Sequence, residues 1–380
     1  MRTTTTLSRL TRWLMAGCFL IGLLGLHARS ADLPDFRGLP AAETRVSRML
    51  VKLARSIEGQ REMGVEGTNS VWIDGLLRGL DAEWSTNRPT VEVEQHPWMA
   101  RQETRLAEAI GARLGEPALR RLRQLELQAQ GGRALLREEV AEFLALDAGQ
   151  RLKVEALAAQ TDRIADLAAQ TAKAGSPDAA LFASWQRWRA AEDGSALRIL
   201  NPGQAARWRE ALGRKMDTTR FQRMNPMAPE FPAGALWVDG KATSMAALRG
   251  KVVLVHFYAF QCHNCQANFR TYNRWQKTLR DQGVEMVGIQ TPETEAERDA
   301  ARVTEAAHQC EFGFPVMLDL DNQAWKAWGN SVWPTIYIVD QRGYVRTWWV
   351  GELYWQGARG DQSVEGWVRR LLAEAKTTPP

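Results

Sequence analysis

Two thiols carry the chemistry that can be read from this chain, in the run Cys262-His263-Asn264-Cys265. Cysteines at this spacing can close into a disulfide, or one can attack a foreign disulfide while the other resolves the product. They follow Val252 to Phe260, an apolar and aromatic run broken only by His256, and the residues after them read as a helix. A buried strand ending at a C-x-x-C that opens a helix brings unpaired N–H groups and the positive end of the helix dipole to the first sulfur. That setting favours the anion of the first sulfur. Cys262 is therefore the candidate nucleophile and Cys265, one turn further on, the resolving thiol.

Two other uses of the pair carry less weight. A zinc site needs a second pair of ligands at suitable spacing, and Cys18, Cys310 and the five histidines form none, so no metal is expected. A structural disulfide between cysteines three apart at a helix start would cross-link almost nothing. No organic cofactor is implied either, because the dithiol itself holds the electrons. Cys310 stands at the end of an expected helix, where a buried structural cysteine is favoured over a third redox partner.

The chain of 380 residues suits two domains, and its composition is that of an ordinary soluble globular protein. Arg2, Arg9 and Arg12 precede the apolar run Trp13 to Leu26, and the small residues near Ala31 offer a cleavage site. Residues 1–30 are therefore expected to be a cleaved signal peptide, since fourteen apolar residues are few for a bilayer span. That segment holds four Arg and no acid, so its removal takes the net charge from +5 to +1 and nothing recommends nucleic acid as a partner. An exported protein that keeps a C-x-x-C belongs where disulfides are made, reduced or sorted.

Residues 31–223 read as an α-helical domain. Within it, Leu144 to Gln150 and Leu197 to Gln204 each place an Asp or Asn three residues before a Gln at a helix start, with Asp147 and Asn201 as caps. Residues 224–234, inside the proline-rich stretch RMNPMAPEFPAG, form the expected linker. Residues 235–380 alternate buried strands with helices. Strands are expected at 236–238, 252–260, 284–290, 314–318, 335–339 and 344–350, with helices at 244–248, 264–282, 293–309, 323–328 and 363–375. The expected architecture is an α/β sandwich with a mixed sheet.

A C-x-x-C after the first buried strand and an X-Pro before the third resemble the thioredoxin fold. More closely, residues 229–375 resemble the TlpA-like thiol-disulfide oxidoreductases, in particular the exported domain of DipZ-type proteins. The residues that carry the likeness are Leu248 to Leu254, Cys262-x-Asn264-Cys265, Gly288-x-x-Thr291-Pro292-Glu293, Trp325-x-x-Trp328-Gly329-Asn330-x-x-Trp333-Pro334-Thr335, Asp340-x-x-Gly343 and Gly351-Glu352-x-Tyr354. The resemblance implies a mixed-disulfide mechanism at Cys262 and Cys265, with protein thiols or disulfides as substrates and a membrane redox partner. It places Pro334 at the family's cis-proline, with Trp333 and Thr335 beside it at the substrate site. The two helix starts resemble, weakly, the L-T-x-x-Q motif of small periplasmic proteins of the Spy type; a scaffold of similarly capped helices is favoured over a chaperone surface.

Three positions depart from the family. Gln261 stands where Trp is common. His263, inside the motif, either favours the Cys262 thiolate when protonated or is simply solvated. His256 occupies the strand position where thioredoxins carry a buried acid, and is either the acceptor of the Cys265 proton or a neutral core histidine bonded to a carbonyl. Two rival functions remain: a thiol peroxidase, although Phe257 to Gln261 lack the Pro and Thr of its motif, and a binding or chaperone protein whose redox pair is secondary.

Overall fold

Val252–Tyr258 (β2) is buried at every position, which its run of aliphatic and aromatic residues, broken only by His256, allows at the centre of a sheet. The computed structural model of the protein describes residues 46–89, 92–173, 179–217 and 221–377. The expected signal peptide and Cys18 lie outside them. Six strands form one mixed sheet in the order β1-β4-β3-β2-β5-β6, with β1 Leu236–Trp237, β3 Val284–Gln290, β4 Val316–Leu318, β5 Thr335–Val339 and β6 Val345–Val350. β2 runs parallel to β3 and antiparallel to β5, and β3 runs parallel to β4. This is the mixed thioredoxin-like sheet that the sequence pattern implies.

Alternation along β2 sorts the core into two faces. Val252, Leu254, His256 and Tyr258 share one face, packed with the helix His263–Leu279, while Val253, Val255 and Phe257 share the other with Phe231, Met245 and Trp328. The helix His263–Leu279 buries Cys265, Asn268, Phe269, Tyr272 and Trp275, a stripe at three- and four-residue spacing. Asn268 fastens the far side of this face: its Oδ1 accepts from Leu353 N at 2.9 Å and its Nδ2 donates to Gly351 O and Tyr272 Oη, each at 3.2 Å.

Several elements differ from expectation. Residues 244–248 are turns rather than a helix, and the expected helix over 293–309 is a 3₁₀ turn, Glu295–Arg298, followed by the helix Ala300–Gln309. Asp299 makes the break, because its carboxylate accepts from Ala301 N and Arg302 N and so starts a new helix. The expected linker is no free tether. Met227 bridges to Tyr344, Val345 N donates to Pro226 O at 3.0 Å, Ala228 N donates to Gly343 O at 2.8 Å, and Met227, Ala228 and Phe231 are buried. Prolines kept the segment extended, and an extended segment can pair with the start of an edge strand.

The chain forms two compact units that divide it otherwise than at 223. One contains residues up to 54, 58–65 and 99–221, and the other contains 55–57, 66–98 and 222–380. The helix Thr68–Asn87 thus belongs with the sheet. Its Asp74 accepts from Tyr344 Oη at 2.8 Å and from Arg342 Nε at 2.7 Å, and its buried Asp81 accepts from Met227 N at 2.8 Å and pairs with Arg55. No hydrophobic signal marked this helix as part of the α/β unit, because polar anchors hold it there.

The other unit is helical. Its similar helix starts open Ala148–Lys173 and Pro202–Leu212 and are bonded to each other. Gln150 and Gln204 amides meet at 2.7 Å, Gln150 Nε2 donates to Ile199 O at 2.9 Å, and Gln204 Nε2 donates to Ala145 O at 3.1 Å. Each glutamine closes its own capping box and ties down the other motif, so both side chains serve the scaffold. Among the described residues, no helix is long and apolar enough to cross a membrane.

Candidate active site

β2 delivers the chain to Ala259–Gln261, and the turn closes with Cys262 N donating to Ala259 O at 3.2 Å. Cys262 is the N-cap of the helix His263–Leu279, with φ −69° and ψ 110°, and no side chain caps that end. Its sulfur therefore sits at the positive end of a seventeen-residue helix. Cys262 is 9% exposed and Cys265 fully buried, and both are free thiols. Burial raises the pKa of the Cys265 thiol far above the usual range, and its hydrogen bond with Cys262 and the nearby Glu293 carboxylate push the same way. Both thiols are buried; the first keeps a small opening to solvent and the second, with none, is held protonated.

The second wall comes from β5. Thr335 pairs in register with Phe257, which brings the start of β5 to the end of β2 that leads to the cysteines. The Trp333-Pro334 peptide is cis, as the resemblance implies for Pro334. Thr335 Oγ1 donates to Val332 O at 2.7 Å, Gly351 N donates to Pro334 O at 2.8 Å, and half-buried Trp333 packs against the core that contains both cysteines. The Trp333 indole donates to Thr291 O at 3.1 Å and lies 4.1 Å from the Trp325 ring. Val332, next to Trp333, and Val350, which pairs with Thr335 across β5 and β6, are exposed, as are Tyr354 and Trp355 further along the chain.

His263 is exposed. His256 is fully buried, stacked 5.1 Å from Tyr258 and edge-on to Phe312 and Phe314, with Tyr272 tilted at 4.6 Å. Burial lowers its pKa from 6.5 to about 3, so it is a neutral core histidine. The expected carbonyl partner is missing: neither ring nitrogen has a hydrogen bond. Gly288 stands opposite in the register, and a Cβ there would come within 3.0 Å of the imidazole Nε2. The Tyr258 hydroxyl and the Gln290 amide on the same face are buried without partners as well. Cys310 is half-buried at the end of Ala300–Gln309 and packs against this core, and burial raises its pKa.

Sequence reasoning passed over Glu297. It is fully buried, and its two oxygens accept from Gln261 N at 2.7 Å, Glu293 N at 2.7 Å and Thr294 N at 3.0 Å. The available signal was Thr294-x-x-Glu297, a capping-box pattern lost inside what read as one long helix.

Comparison with known proteins bears on this half of the chain. The model of the AhpC/TSA family matches residues 224–348. Protein DipZ of Mycobacterium tuberculosis (strain CDC 1551 / Oshkosh) is 33% identical over 153 residues, which make up 39% of this chain and 21% of that protein. The chain thus matches only 21% of the length of that relative. Thiol-disulfide oxidoreductase YkuV of Bacillus subtilis (strain 168) is 26% identical over 148 residues, covering 39% of this chain and 95% of YkuV. Thiol-disulfide oxidoreductase ResA of the same organism is 29% identical over 107 residues, covering 28% of this chain and 57% of ResA. With its strand order, its dithiol and its cis-proline in place, the C-terminal part of this chain has a thioredoxin-like fold, similar over residues 224–348 to the AhpC/TSA family and, over much the same stretch, to thiol-disulfide oxidoreductases.

Proposed function

We propose that the protein is an exported thiol-disulfide oxidoreductase that exchanges disulfides with protein substrates through Cys262 and Cys265. The observation that carries the reading is the asymmetry of the two thiols at one helix start: Cys262 at the N-cap with 9% of its surface open, Cys265 with none and held protonated. Cys262 as thiolate attacks one sulfur of a substrate disulfide, forming a mixed disulfide and releasing the other substrate sulfur as thiolate. Cys265 then loses its proton and attacks Cys262 Sγ, which releases the second substrate thiolate and leaves the Cys262–Cys265 disulfide. Two electrons pass from the dithiol to the substrate, and the reverse sequence oxidises a substrate dithiol.

In this scheme Trp333, Pro334 and Thr335 form the wall along which a substrate segment lies. The exposed Val332, Val350, Tyr354 and Trp355 suit a polypeptide with apolar residues beside its cysteine. In this scheme His256 is a poor proton acceptor, because burial lowers its pKa to about 3 and so disfavours the imidazolium it would become. His263 is a solvated side chain at the mouth of the site. The leader-like residues 1–30 support export, and a membrane-bound thiol donor or acceptor would restore the pair after each cycle.

Reduction of insulin by the reduced protein tests the reading. Turnover that vanishes in Cys262→Ser supports it. Absence of turnover together with aggregation suppression that survives Cys262→Ser would assign the protein to client holding instead.

A further inference from the structure

A capping-box glutamate ordinarily returns to the N-cap N–H at the protein surface and does nothing more. Glu297 is fully buried, and only one of its three hydrogen bonds, from Thr294 N, has that form. The same oxygen, Oε2, also takes Glu293 N, and Oε1 crosses to Gln261 N, the amide immediately before Cys262. A side-chain bond at 2.6 Å from Thr294 Oγ1 to Gln261 Oε1 doubles the crossing. The loop so fastened reaches the other wall of the site as well. Thr291 N donates to Tyr258 O at 2.9 Å at the end of β2, Thr291 O accepts the Trp333 indole, and Thr291 Oγ1 donates to the buried Asp319. Asp319 in turn takes Ala324 N and Trp325 N, and Trp325 lies against Trp333.

We propose that Glu297 is a positioning residue of the exchange reaction: it holds the Cys262 turn, the Glu293 loop and, through Thr291, the Trp333 wall in one fixed relation. The inference rests on the oxidoreductase reading above and adds the means by which its parts are held in place. Every donor that the two oxygens take is a backbone N–H, which cannot turn away to another acceptor as a side chain could. In Glu297→Gln one end of the group becomes an NH₂ donor, which faces either Gln261 N–H or the Glu293 and Thr294 N–H groups and must break from them. The loop and the turn then part while the sheet beneath them is untouched.

The experiment compares the parent, Glu297→Gln, Thr294→Val and the control Glu295→Gln, whose exposed side chain pairs only with Arg298 on the same turn. Two rates are read at one pH: attack of Cys262 on a small aromatic disulfide, and insulin reduction resolved into kcat and KM. The expected result for folded Glu297→Gln is a fall of about tenfold to a hundredfold in attack by Cys262, as for a reacting group displaced by about 1 Å. A rise in KM for insulin should accompany it as the Trp333 wall loosens. Thr294→Val, which keeps Glu297 and loses the doubling bond, should lie between parent and Glu297→Gln, and Glu295→Gln should match the parent. Thermal unfolding identifies a variant that fails to fold, in which case Thr294→Val carries the test. A folded Glu297→Gln, or in its stead Thr294→Val, with parental attack rate and parental KM would overturn the proposal, since a purely structural role moves only the unfolding temperature. Loss of insulin turnover in the parent would instead refute the oxidoreductase reading, and attack on the small disulfide would still report on Glu297.

Discussion

His256 should make the sheet-containing unit acid-sensitive, and the size of the effect follows from its burial. Above pH 6.5 the imidazole is neutral in the folded and unfolded chain alike and adds no pH dependence. Below it, the unfolded chain binds a proton that the folded site refuses until about pH 3. Stability therefore falls as pH falls, by about 1.4 kcal/mol per unit, or about 2 kcal/mol between pH 6.5 and 5. His256→Leu removes the titrating group and two buried, unpartnered nitrogens, so at pH 7 the variant should be at least as stable as the parent. Native-state hydrogen exchange of the Val252–Tyr258 amides measures the opening free energy of this unit within the whole chain. Between pH 7 and 5 the parent should lose about 2 kcal/mol more than His256→Leu. Equal losses in the two proteins would refute the reasoning, because they would mean that the imidazole binds its proton as readily inside the fold as outside.

Other consequences are as specific. Gly288→Ala forces a Cβ to 3.0 Å from the imidazole Nε2 and 3.3 Å from Phe314 and Val316, so it should destabilise by about 1–3 kcal/mol in urea unfolding, and His256→Ala in the same chain should relieve much of that loss. Asn268→Ala leaves the buried Leu353 N–H without its acceptor and the Gly351 carbonyl without its donor, and should cost about 2–4 kcal/mol by the same measurement. Gln204→Ala unties both helix starts of the helical unit and should lower its stability by about 1–2 kcal/mol, with little further loss in the double variant Gln150→Ala/Gln204→Ala. In reduced Cys265→Ser, attack of Cys262 on a substrate disulfide should leave a mixed disulfide that persists to non-reducing gel electrophoresis, whereas Cys262→Ser should form none.

The dithiol, the strand that delivers it and the helix that opens on it were legible because each is local: an apolar run, a pair of cysteines at fixed spacing and a stripe of buried residues on Cys265 to Trp275. The cis-proline came from a family resemblance spread over many positions. What escaped notice is held by long-range polar contacts that leave no period in the sequence. The helix Thr68–Asn87 joins the sheet through Asp74 and Asp81, whose partners Tyr344 and Met227 lie about 150 to 270 positions away by chain count. Met227 and Ala228 pair with an edge strand although their prolines suggested a free linker. Glu297 lies within the expected helix over 293–309, which breaks at Asp299 into a 3₁₀ turn and a separate helix. For His256, sequence position left both a proton acceptor and a neutral core histidine open, because the aromatic rings that surround it, from Tyr258, Tyr272, Phe312 and Phe314, come from three separate stretches of chain.

The central claim is that Cys262 and Cys265 form a working redox pair. Equilibrating the protein with glutathione buffers of graded potential, then alkylating and weighing it, tests this most directly. One two-electron transition is expected, in which Cys262 and Cys265 lose their alkylation together while Cys310 keeps its own throughout. A pair that stays alkylated across the whole range, or a disulfide that joins Cys310 instead, would contradict it.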